Sequence, residues 1–225
     1  MLPEVLRDHN LTWIRPARAT VGDDNPDAIY AAVGKALSSW EYVEIALTWL
    51  FHAVAEADGW GTTPAFGLIF NSERKRDLLK SVASEYFGDK NTPELAKDVY
   101  ELLTNYKVAA DRRNDIAHAV AVIVVKEGEH GVNEGWYLTP PEHALKKLIP
   151  DLREPKFGSS YAWTGQQVSE LAANFLLLAR TIDSVATELD PEQKSRRLTV
   201  SVLPGFSKAT PGAPSLGRIV RTSSK

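Results

Sequence analysis

The chain has no cysteine, a single methionine and no long apolar run. Without cysteine there is no disulfide scaffold, no cysteine nucleophile and no thiolate zinc site. The longest apolar stretch, Ala119 to Val125, is seven residues, against about 20 for a membrane-spanning helix. Met1-Leu2-Pro3-Glu4 lacks the basic start and apolar run of a signal peptide. These absences make a soluble cytoplasmic protein with no membrane partner the expectation. Net charge is also small, −3 with a pI near 6.0, so bulk charge does not mark a nucleic-acid binder. The average hides an asymmetry. Gln193 to Lys225 carries seven Lys/Arg and no Asp/Glu, which leaves −10 on the first 192 residues.

What is present is ordinary for a globular chain. Hydrophobic residues make up 44% and charged residues 24% of 225, enough for one domain with additions or at most two small ones. Residues 1–25 read as an N-terminal arm, with Pro3, Pro16 and a turn at Gly22-Asp23-Asp24. Asn25-Pro26 is a cap followed by proline at the first helical position, and the helix it opens runs to about Asp58. The polar residues of its second half, Glu41, Glu44, Thr48 and His52, fall three or four apart on one narrow stripe. So narrow a stripe predicts a helix buried on three sides, with a second subunit as a candidate cover.

Thr63-Pro64 predicts a short helix over Ala65–Phe70, and Ser72 a capped helix ending near Phe87-Gly88. Thr92-Pro93-Glu94 opens a third long helix to about Ala117. Its apolar row is Leu95, Val99, Leu102, Tyr106 and Ala109, with Arg113 and Ile116 in step. The β-branched run Ala119 to Lys126 predicts a strand, Glu127 to Gly135 a turn, and Trp136 to Thr139 a returning strand. A short helix is expected around Glu142 to Leu148. Thr164 and Gln167 match a capping box for a last helix ending at Asp190-Pro191. The fold predicted is all-α, a helical bundle over 26–190 with a small β-hairpin or irregular insertion over about 119–163. A basic Pro/Gly/Ser-rich tail, 191–225, follows.

Arg113-Asn114-Asp115-Ile116-Ala117-His118 stands where the third helix runs out. The segment resembles the Arg-x4-His motif of HEPN domains, including the polar residue directly after the arginine. The order of helices, motif, insertion and final helix is similar to that family over roughly Pro26 to Leu189. The resemblance implies a metal-independent endoribonuclease with no cofactor, a dimer in which two motifs meet at a two-fold axis, and a toxin or defence role in which an antitoxin protein is a partner to consider. His118 would be the base, since its ordinary pKa lies near 6.5. Arg113 would hold the phosphate through its planar fork. Asn114 completes the catalytic set.

Residues five apart point about 140° away from each other on an ideal helix. Either the helix therefore ends before His118 or another chain completes the site. Arg113, in step with an apolar row, needs a counter-charge. Glu44 is the first candidate and Glu41 the second. Asp111 or Asp115 is placed to orient His118. A structural reading stands beside each of these. A histidine can simply close a helix C-terminus, and Glu41 and Glu44 can be a solvated strip. The cluster Arg74, Lys75, Arg76 and Lys80 reads as a solvated face before a phosphate site. A non-catalytic HEPN-like dimerisation or ligand-binding module, or an unrelated helical interaction protein, are the alternatives to the enzyme.

Overall fold

The computed structural model describes residues 2–57, 61–90, 92–126, 132–141 and 161–190. The fold is all-α with a small two-stranded antiparallel sheet before the last helix. The elements are α1 (Glu4–Arg7), α2 (His9–Thr12), α3 (Pro26–Val54), α4 (Thr62–Gly67), α5 (Ser72–Asp89), α6 (Pro93–Ala117), β1 (Val120–Lys126), β2 (Val132–Thr139) and α7 (Gly165–Leu189). The basic tail and the helix expected at Glu142 to Leu148 lie outside the described residues.

Local chemistry sets most helix starts. The Asn25 side chain accepts from the Asp27 and Ala28 amides, with Pro26 behind it. Thr164 and Gln167 form the reciprocal capping box at α7. The Asp23 carboxylate accepts from the Gly165 amide at 2.7 Å. Both ends of α4 and of α5 differ from expectation. Asn71, not Ser72, caps α5, by accepting from the Arg74 amide at 2.9 Å. The α5 helix runs on through Gly88 to Asp89. The α4 helix begins at Thr62 with no side-chain cap and stops at Gly67.

The α3 helix lies at the centre. It packs along α7 and also against α4, α5, α6 and the sheet. Its burial on three sides is therefore supplied by its own chain, and the narrow polar stripe no longer calls for a second subunit. The core joins the helices through aromatic rings. Trp13 stacks on Phe175 at 5.5 Å, Phe175 meets Trp40 edge-on at 5.4 Å, and Trp40 stacks on Tyr106 at 5.4 Å. Such pairs add about 0.5–1.5 kcal/mol beyond their buried area.

Residues of the N-terminal arm contribute to this core. Leu2, Leu6 and Trp13 are buried. Trp13 Nε1 donates to the buried Asn105 Oδ1 at 2.9 Å, and Asn105 Nδ2 donates to the Leu6 carbonyl at 2.8 Å. The returning strand starts at Val132, earlier than the expected Trp136, and pairs on past a bulge at Val124/Val125. Gly135 takes φ +101° beside this bulge, and a Cβ there would lie 2.7 Å from Gly22. The Gly22 amide donates to the Glu134 carbonyl at 2.7 Å, so the segment expected as a turn is stitched to β2.

Candidate active site at the end of α6

Two adjacent arginines on α6 have different fates. The Arg112 side chain is 12% exposed, and its Nη1 lies 3.2 Å from Asp115 Oδ2. Arg15 holds the same carboxylate from the N-terminal segment, through Nε at 3.1 Å and Nη2 at 2.9 Å. Tyr161 donates to the Asp115 carbonyl at 2.8 Å, and the Arg15 guanidinium lies over the Tyr161 ring at 5.5 Å. Burial lowers the Arg112 pKa from its ordinary value, and Asp115 counters this. Burial likewise raises the Tyr161 phenol above its usual range. This cluster ties the last turn of α6 to two distant parts of the chain. Asp115 is thereby committed to arginines, and the expectation that it orients His118 is replaced by this structural role.

Arg113 turns instead to an open cleft between α3, α5 and α6 of about 530 Å³. Asn114, Glu41, Glu44, Thr48, Lys75 and Phe70 share the lining. Arg113 Nη1 donates to Asn114 Oδ1 at 3.1 Å, while its Nε has no hydrogen-bond partner among the described residues. Glu44 is in the expected place but has other partners. Its carboxylate accepts from Lys75 Nζ and from the Tyr106 hydroxyl, the latter at 3.0 Å. Burial, then the charge of Glu44, pushes the Tyr106 phenol above its ordinary pKa, with Arg113 pulling the other way. The counter-charge expected from Glu44 for Arg113 thus goes chiefly to Lys75. Glu41 is exposed at the cleft margin.

The α6 helix ends at Ala117, and His118 is its C-cap, with φ −103° and ψ 4°. Of the two alternatives for residues five apart, the helix does end before the histidine. His118 still does not line the Arg113 cleft. It is exposed, and its ring makes no hydrogen bond to a described residue. Asp111 is exposed and forms no ion pair with a described residue. One chain therefore brings Arg113, Asn114, Glu41 and Glu44 together and leaves His118 and Asp111 outside.

Lys75 is the cleft residue given too little weight by the sequence. In the basic cluster it alone reaches this cleft. Arg76 pairs with Glu73 and Asp77 and, with Lys80, lines another groove between α5 and α6. Phe70, expected as the last residue of the short helix, lies beyond the end of α4 and lines the cleft. His52, by contrast, is buried and bonded to Thr62 at 2.8 Å. Among the described residues no three His, Asp or Glu side chains converge as metal ligands, and no helix is long and apolar enough to cross a membrane. No protein-family model, curated protein or solved structure matches the chain.

Proposed function

We propose that the chain is an HEPN-like, metal-independent endoribonuclease that works as a homodimer. Each site takes Arg113 and Asn114 from one protomer and His118 from the other. The observation that carries this reading is the end of α6. There a guanidinium and a carboxamide line an open cleft, and an exposed imidazole without a hydrogen-bond partner among the described residues stands just past the helix.

The chemistry uses these groups alone. His118 takes the proton of a ribose 2′-hydroxyl. The 2′-oxygen attacks the adjacent phosphorus, the bond to the 5′-oxygen breaks, and that oxygen takes a proton from water while protonated His118 returns its proton to water. The products are a 2′,3′-cyclic phosphate and a 5′-hydroxyl. Arg113 holds the phosphate as charge gathers on its oxygens. Lys75, by neutralising Glu44, keeps a carboxylate from repelling that phosphate. A cytoplasmic toxin or defence effector, held in check by an antitoxin protein, is the setting this activity implies.

A second reading keeps the helical module and drops catalysis. The presence of Glu41 and Glu44 in the Arg113 cleft favours it, because two carboxylates lower the appeal of the site to a polyanion. Cleavage of mixed-sequence RNA separates the two. His118→Ala should abolish cleavage and Arg113→Lys should impair it, with the thermal melt unchanged in both. A wild-type protein inert on every RNA tried would leave the non-catalytic module.

A further inference from the structure

Phe70 is 92% exposed, more than any other large apolar side chain among the described residues. It stands at the N′ position of α5, just before the cap residue Asn71. An apolar residue there normally packs on the fourth helical residue. That residue is Lys75, whose amine is engaged by Glu44 and lies 5.4 Å from the Phe66 ring. The usual packing partner is therefore missing, and Phe70 is among the residues that line the cleft holding Arg113, Asn114 and Lys75.

We propose that Phe70 is a stacking platform for one unpaired nucleobase of an RNA strand whose phosphate lies on Arg113. This rests on the ribonuclease reading and adds that the substrate is single-stranded at the site. Two observations favour a base over an apolar partner helix. The rest of the lining includes the polar residues Thr48, Ser72 and Asn114, available to the edge of a base. Its ionisable side chains balance, Glu41 and Glu44 against Lys75 and Arg113. Such a neutral site suits one base and one phosphate rather than a run of phosphates. The volume of about 530 Å³ falls in the range of small-ligand sites, about 300–1,000 Å³. A base held in a duplex already has its faces stacked, so pairing removes the contact.

The test measures binding of a short single-stranded RNA with 2′-O-methyl riboses, which cannot be cut by 2′-oxygen attack, to the full chain by fluorescence anisotropy. A duplex of the same sequence is the comparison. Phe70→Ala should weaken single-strand binding about tenfold, the usual loss on removing a stacking aromatic. Phe70→Tyr should restore it and Phe70→Leu should not. The duplex should bind weakly to all four proteins. Phe70→Ala or Phe70→Leu binding as tightly as wild type would overturn the stacking role and leave the ribonuclease standing. Absence of RNA binding by the wild-type protein would remove both. Light scattering that shows Phe70→Ala, but not Phe70→Leu, breaking a dimer would assign the ring to a contact between copies and overturn the proposal.

Discussion

Arg112→Ala and Arg113→Ala should have opposite consequences although the residues are neighbours. Arg112 belongs to a partly buried cluster, with side-chain exposures of 12% for Arg112 and 15% for Asp115. Removing one member of a buried pair costs about 3–5 kcal/mol, and of an exposed pair about 0–1 kcal/mol. Arg15, 37% exposed, would keep hold of Asp115. The loss for Arg112→Ala should therefore fall between those limits, about 2 kcal/mol. For a domain of this size that lowers Tm by about 4–8 °C. Arg113 makes one side-chain hydrogen bond, to exposed Asn114, and its Nε has no partner among the described residues. Its loss should change stability by about 0.5 kcal/mol or less. Glu44 would not be stranded, because Lys75 and Tyr106 hold it. Urea unfolding followed by tryptophan fluorescence measures both, and RNA cleavage should fail only for Arg113→Ala. Equal destabilisation, or a larger loss for Arg113→Ala, would refute this division of roles.

Phe175→Ala should cost about 3–5 kcal/mol, since Phe175 joins Trp13 to Trp40; a loss under about 1 kcal/mol would contradict the aromatic core. Mixing inactive Arg113→Ala and His118→Ala proteins should restore about a quarter of wild-type cleavage, because a statistical mixture of two-fold dimers contains that share of intact composite sites. A mixture as dead as its components would place the site within one chain. Tyr106 and Tyr161 have phenol pKa values raised by burial. Their stabilisation is whole below about pH 10, the ordinary phenol value, and is lost as pH climbs through the raised folded-state values. At about pH 11, adding urea should therefore increase tyrosinate absorbance. No increase would show both phenols already ionised in the folded protein.

Much of the helical frame was legible because its signals are local. The Asn25 cap and the Thr164–Gln167 box act within one turn, and Thr92-Pro93 opens α6 where expected through the proline at its first position, without a side-chain cap bond. Two good caps side by side defeated the same logic at α5. Asn71 prevailed over Ser72 because its oxygen reaches the Arg74 amide. Periodicity showed how much of α3 is buried but not by what, and α7 with the shorter elements covers it. In the site, the row on α6 located Arg113 and Tyr106 but could not assign counter-charges. Those are tertiary facts. Lys75 reaches Glu44 from another helix, and Arg15 reaches Asp115 across a hundred residues. Nothing in a helical pattern encodes either distance.

The central claim is that His118 and Arg113 cut RNA by 2′-oxygen attack without a metal. End-group analysis of RNA cut in the presence of chelator tests this directly. Undiminished cleavage that leaves 2′,3′-cyclic phosphate and 5′-hydroxyl ends, and that is lost in His118→Ala, is the predicted result. Cleavage that survives His118→Ala, or that needs a divalent metal and leaves 5′-phosphate ends, would contradict it.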